Sequence, residues 1–267
     1  MAEEFVAALK KDYVHDLALK EQRVDGRKPE ERRKLIITAN PIGTADGSAM
    51  VQLGSTRIFV GIKMGVGSPF PDRPKEGVLI TNAELIPMAS PSFEPGPPSQ
   101  ASIEVARVVD RGIRESKMID LTELCITEGQ KVWMVNIDIH TIDYDGNLFD
   151  AALAGAVAAL KLTMLPAKAK GIGEKDIPLK IHHTPTSVTA VKIGKNIFVD
   201  PQHDEETVAE ARLTATVDEH GALRAMQKGL PGSFSVDEVK YVIKVCQQIA
   251  HDTRETIHKA IGHSGSS

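Results

Sequence analysis

The sequence predicts an α+β protein in which strands come first and helices pack behind them, an order that occurs twice along the chain. Three observations carry that reading. Runs rich in β-branched residues occupy 34–63 and 188–227, helical periodicity is confined to a few longer stretches, and loops rich in Gly and Pro separate the two kinds of segment. With 267 residues, 42% of them hydrophobic, the chain can fill one large core or two smaller ones without disulfides or a structural metal.

Phe5, Leu9 and Tyr13, with Val6 and Leu17 near the same face, mark an amphipathic N-terminal helix within 1–22, of a kind that docks on a neighbour. Lys34 to Ala39 reads as a strand, and Ser48 to Lys63 as a hairpin broken at Gly54-Ser55-Thr56. Two Pro/Gly-rich loops, Gly65 to Gly77 and Pro87 to Pro98, bracket a strand at Val78 to Leu85, and loops of that length serve an interface or a site. A helix from Ser99 to Met118 leads to strands at Leu121 to Thr127 and Lys131 to Asp143. A turn at Asp145-Gly146 and an alanine-rich helix through Leu162 complete a first unit, 23–166. Residues 167–186, punctuated by Gly171, Gly173, Pro178 and Pro185, form a connector. The second unit, 187–262, holds strands at Val188 to Ile193 and Asn196 to Val199 across the turn Gly194-Lys195. It continues with a hairpin at Arg212 to Val217 and Ala222 to Gln227, then a long helix from Val236 to Ile261; a short tail, 263–267, follows.

A net charge of −4 argues against a lysine-coated polyanion binder, so any nucleic-acid surface is local. Cys125 and Cys246 lie far apart in apolar stretches and read as buried thiols of a reducing cytoplasm. The first 20 residues carry Glu3, Glu4, Asp12 and Asp16 without the apolar core of a signal peptide. The run Ala151 to Leu160 is shorter than the roughly 20 residues a bilayer span needs. The expectation is a cytoplasmic chain with no membrane partner.

One helix carries the strongest chemical signal. Arg107, Arg111 and Arg114 are spaced i, i+4, i+7, so their guanidiniums share an arc of about 60°. Such forks bind phosphate bidentately and suit successive phosphates of a strand. The same spacing also suits ion pairing with Glu104, Asp110 and Glu115, and periodicity alone leaves both readings open. Asp143-Tyr144-Asp145-Gly146-Asn147 fails as a calcium loop: glycine stands at its fourth position rather than its sixth, and Ala154 at its twelfth. A turn with Asn147 near a helix start is the better reading. His182-His183 and the group Asp200, His203, Asp204, Glu205, Glu206 lack partners at a recognised metal-ligand spacing and read as solvated loops. There is no Gly-Lys-Ser/Thr phosphate loop, no Gly-x-Gly-x-x-Gly and no nucleophile elbow, so neither a cofactor nor a metal is expected.

Val24-Asp25-Gly26-Arg27, Asp46-Gly47-Ser48-Ala49 and Leu53-Gly54-Ser55-Thr56 together resemble the opening signature of RNase PH-like phosphorolytic exoribonucleases. With Phe93-Glu94-Pro95-Gly96-Pro97-Pro98 and Ala106-Arg107-Val108-Val109-Asp110-Arg111, the pattern is similar to one branch: the archaeal exosome subunit that partners the active one. The resemblance spans roughly residues 20–260. It implies an RNase PH fold of two βα-rich halves, like domain 2 of ribosomal protein S5, in a hexameric ring of three heterodimers with a catalytic RNase PH-like subunit. It further implies RNA-binding caps with S1/KH-type domains and single-stranded RNA as ligand.

Active members attack the terminal phosphodiester with inorganic phosphate, which needs a cationic cradle and a carboxylate. Against their pattern, Phe149 stands where the phosphate-binding arginine belongs and Gln100-Ala101 where an arginine pair belongs. Counting back from Gly221, Arg212 falls at the catalytic aspartate. The resemblance therefore implies a subunit with no catalytic residue, in which Arg107, Arg111 and Arg114 are the RNA-binding candidates. Of the three, Arg114 also stands beside acids able to hold it. An active enzyme using Glu210 or Asp218 as a substitute carboxylate, and a plain scaffold without RNA contact, are the competing readings.

Overall fold

A computed structural model describes residues 2–262, with side chains from residue 11 onward. The expectations for Phe5, Val6 and Leu9, and for the tail at 263–267, fall outside the described residues. After helix α1 (Ala2–Leu19) come strands β1 (Leu35–Ala39), β2 (Gly47–Leu53), β3 (Thr56–Gly67) and β4 (Val78–Leu85). Helix α2 (Gln100–Glu115) precedes β5 (Cys125–Thr127) and the long β6 (Lys131–Asp143), and helix α3 (Leu148–Lys161) follows. These strands make a six-stranded sheet ordered β1-β2-β3-β6-β4, with β5 also on β6. Every pairing is antiparallel except β4 with β6, for which α2 supplies the crossover.

A two-residue pair, β7 (Met164–Leu165) with β8 (Ile177–Pro178), precedes a four-stranded sheet ordered β10-β9-β11-β12. Its strands are β9 (Thr186–Ile193), β10 (Asn196–Val199), β11 (Ala211–Val217) and β12 (Leu223–Gly229). Helix α4 (His203–Val208) lies between β10 and β11, and α5 (Val236–Gly262) follows β12.

Helix α3 explains its own composition. It packs on β2 and β3 on one side and on β9 on the other, and every residue from Leu148 to Leu160 is buried. Alanine lets two sheets approach one helix. At Gly155 a Cβ would stand 2.7 Å from Val60 Cγ2, so glycine is required by close approach. The first core joins Val51, Ile58, Val60, Ile137 and Ile139 of the sheet to Val109 and Ile113 of α2 and Leu153 of α3. On the other sheet, Val188, Ala190, Leu213 and Ala215 face α5 through Val242, Val245 and Cys246, while Thr189 and Thr214 face α3. The last turns of α5 return to the first core through Ile257.

Several expectations need correction. Tyr13 is exposed; Val14 and Ala18 are the buried face of α1, which meets α4 and β9. Residues Leu121–Leu124 form a 3-10 turn capped by the Asp120 carboxylate, which accepts from the Thr122 N–H, so only Cys125–Thr127 is strand. Cys246 is buried, its thiol donating to the Ala215 carbonyl and pushed up to about 12 by burial, but Cys125 is half-exposed.

The group at 200–206 is not a solvated loop. Asp200 and Glu205 are buried, and residues 203–206 begin α4 with a capping box between Gln202 and Glu205. What holds them is arginine from the start of the chain. Arg23 grips Glu205 bidentately at 2.7 and 2.6 Å and donates to the carbonyls of Val199 and Asp200. Arg33 grips Asp200 at 2.9 and 2.7 Å and gives it a backbone N–H at 2.8 Å. The Asn147 amide then bridges Asp200 (2.6 Å) and Asp150 (2.8 Å), and Asp150 accepts from Ser187 and Thr189 on β9. Burial alone would raise Asp200, but the bonds from Arg33 outweigh it and hold its carboxyl below the ordinary value; burial pushes Asp150 the other way.

Asp200→Asn is expected to cost about 3–5 kcal/mol at neutral pH, because it leaves buried arginines without their counter-charge. Since folding depresses its pKa, Asp200 contributes stability above its unfolded value of about 3.9 and loses it as pH falls through the folded value. In urea unfolding, the gap between wild type and variant should therefore narrow below about pH 4. A cost under about 1 kcal/mol at pH 7 would contradict this.

Candidate nucleic-acid interface

Helix α2 begins where Pro97-Pro98 ends. The Ser99 hydroxyl accepts from the Ser102 N–H, giving the first turn a partner for one of its free donors. Ser102, Val105, Ala106, Val108, Val109, Gly112 and Ile113 form the buried face. Arg107 and Arg111 are thereby left on the exposed face, one turn apart.

The expected ion pairing reaches only Arg114 of the stripe. Asp110 holds Arg114 bidentately at 3.0 and 2.9 Å, and Arg114 also donates to the Leu79 carbonyl, so its fork is committed. Glu104 reaches Arg212 on β11 at 2.5 Å. Arg111 makes one exposed hydrogen bond, to Gln227 at 3.2 Å, and Arg107 makes no hydrogen bond or ion pair with the described residues. Both line a groove of about 370 Å³ with Gln100, Ile103, Glu104 and Gln227. They also border a second hollow with Thr81 of β4, whose buried hydroxyl is without a partner. Sequence reasoning did not single out Thr81, because only the β4–α2 packing brings it beside the arginines.

Two of the three positions where the family resemblance expects catalytic groups meet. The Arg212 guanidinium lies 4.3 Å from the centroid of the buried Phe149 ring and pairs with Glu104, four residues after Gln100. A cation over an aromatic face is attractive by about 0.5–2 kcal/mol, so each replacement stabilises the other. Two N–H groups at the start of α3, where an anion would be held, already have partners. The Asn147 N–H donates to Glu206 at 2.9 Å, the Asp150 N–H points at the Asn147 side chain, and Tyr144 donates to Glu206 at 2.5 Å. Burial raises the Glu206 carboxyl, and the bonds from Tyr144 and Asn147 only partly offset it. Gly146 is fixed by this crowding: its φ is +81° and a Cβ would lie 2.5 Å from the Pro201 carbonyl.

Neither substitute carboxylate is placed for chemistry here. Asp218 is buried, accepting from the Ala222 and His220 N–H groups and from Arg224. Glu210 accepts from the Gly194 N–H at the β9–β10 turn.

Two family models match the chain: the 3′ exoribonuclease family, domain 1, over residues 31–166, and domain 2 of the same family over 183–249. The chain is 48% identical to the exosome complex component Rrp42 of Methanocella arvoryzae over 257 residues, covering 96% of this chain and 98% of that one. Against Rrp42 of Thermococcus kodakarensis it is 47% identical over 268 residues, 98% of each. Among solved structures it is similar to a chain of the Archaeoglobus fulgidus exosome with RNA bound to the active site. That match has a TM-score of 0.91 and 45% identity, covering 94% of this chain and 98% of that chain. A chain of an archaeal exosome core gives 0.89 and 41%, covering 97% and 100%. Rice Rrp46, at 17% identity and a TM-score of 0.65, shares the fold.

Two substitutions separate structural from exposed arginines. Arg212→Asp should lower stability by about 2 kcal/mol, since it removes the cation from Phe149 and sets an acid against Glu104. Arg107→Ala should stay within about 0.5 kcal/mol of wild type. Chemical denaturation measures both, and a larger loss at Arg107 would show a hidden structural partner.

Proposed function

The chain belongs to the 3′ exoribonuclease (RNase PH) family, and from that membership we propose that it is a non-catalytic exosome component that binds RNA and completes a partner's active site. The observation that carries the reading is a contrast on one helix and its surroundings. Arg107 and Arg111 are exposed and unpaired with any acid among the described residues, while Phe149, Arg212 and Glu104 occupy one another where phosphate chemistry would be organised.

Two guanidiniums one turn apart, about 6 Å along the helix, suit neighbouring phosphates of an extended single strand. Backbone contacts of this kind position RNA without reading its sequence, which suits a processive degradation channel. Arg114 is left out of the RNA-binding set because Asp110 already fills its fork. In this reading the partners are a catalytic RNase PH-like subunit, in a ring of three heterodimers, and caps with S1/KH-type domains. The setting is cytoplasmic; no helix among the described residues is long and apolar enough to cross a membrane.

The test uses the ring reconstituted with its catalytic partner. Arg107→Glu with Arg111→Glu should weaken binding of a poly(A) oligonucleotide by about tenfold per lost contact at low salt. It should also flatten the dependence of log affinity on log salt by about 0.7 per contact, and leave the mass of the complex unchanged. Unchanged affinity in an intact ring would return both arginines to structural duty.

A further inference from the structure

We infer that His183, Glu219 and His220 form a binding site for one zinc-class divalent transition-metal ion, where the segment entering β9 meets the β11–β12 turn. Nδ1 of His183, a carboxylate oxygen of Glu219 and a ring nitrogen of His220 all lie within 4.8 Å of one another, the one such group of three among the described residues. His183 Nδ1 is 2.8 Å from Glu219 Oε1, and His220 Nε2 is 3.7 Å from the same oxygen. A tetrahedral zinc ion with bonds of about 2.0–2.1 Å needs ligands about 3.3 Å apart. His183 stands closer to the shared oxygen than that and His220 farther, so both rings shift when an ion enters.

The surrounding structure holds the ligands in place. Glu219 Oε2 accepts the Thr184 N–H at 2.9 Å, which orients the carboxylate and leaves Oε1 toward the histidines. The turn carrying His220 is pinned by Asp218, whose carboxylate accepts the His220 and Ala222 N–H groups at 2.9 Å and is gripped by Arg224. Gly221, at φ +77°, completes that turn in a conformation other residues rarely adopt.

An ion pair between His183 and Glu219 accounts for two of the three groups. It leaves unexplained why His220, otherwise free on the surface, is set edge-on to His183 with ring centroids 6.4 Å apart. Two imidazoles with one carboxylate suit zinc, nickel or cobalt, whereas calcium and magnesium prefer all-oxygen sites. Three protein ligands leave one position for water. Lys161 and Arg254 stand near enough to interact with the Glu219 charge, and this opposes a dication and makes the site reversible. A bound ion would tie residue 183 to the hairpin at 218–221 and stabilise the fold by linkage.

The full chain, stripped with a chelator, is titrated with zinc chloride by calorimetry and with cobalt chloride by visible absorption. One equivalent should bind, with a cobalt d–d band and a rise in melting temperature. His183→Ala, His220→Ala and Glu219→Gln should each weaken binding at least about tenfold and abolish the thermal shift, while His251→Ala on α5 changes neither. Circular dichroism confirms that these surface variants remain folded. Absence of saturable binding, or binding indifferent to all three substitutions, would overturn the inference.

Discussion

The molecule depends on one continuous line of buried hydrogen bonds: Arg33 to Asp200, Asp200 to Asn147, Asn147 to Asp150, and Asp150 to Thr189 on β9. It begins in the segment before the first sheet, passes the start of α3 and ends in the second sheet, so it sets how the two sheets sit about one helix. Breaking any member would leave a buried charge or amide unsatisfied, which costs more than the net worth of the bond. The chain positions more than it stabilises. Because Asn147 is fixed at both ends, the first turn of α3 is fixed, and with it the place and direction of Phe149.

That placement sets Phe149 against Arg212, two of the positions singled out by the family resemblance. Two of the three sequence departures, 63 residues apart in the chain, stack as cation and ring, and Glu104 pairs with the cation. An aspartate at 212 would face Glu104, and an arginine at 149 would lie in the core beside Arg212. The helix start is meanwhile covered by Glu206, which accepts the Asn147 N–H.

Much of this was legible in sequence where the controlling forces are local. The strands Val78–Leu85 and Lys131–Asp143 match expectation to the residue, because period-two patterning and flanking turns act within a few positions. Ser99 after two prolines marks the start of α2, and the Asp110–Arg114 pair is visible as an i, i+4 spacing. The rest depends on partners brought together by the fold. Asp200 and Glu205 look solvated until Arg33 and Arg23, more than 160 residues earlier, neutralise them. Glu104 appears to belong to Arg107 until β11 delivers Arg212 from 108 residues away. Tyr13 completes an apolar stripe in the sequence, but α1 buries Val14 and Ala18 instead. Family resemblance singled out Phe149 and Arg212, but only the structure shows that they touch.

The central claim is that this chain holds RNA without cleaving it, and its most direct test is the purified chain alone, with no partner, incubated with poly(A) and inorganic phosphate. The account predicts no release of nucleoside diphosphate above the no-enzyme control, with activity appearing when the catalytic partner is added. Phosphate-dependent release by the isolated chain at a rate comparable to the assembled complex would contradict it.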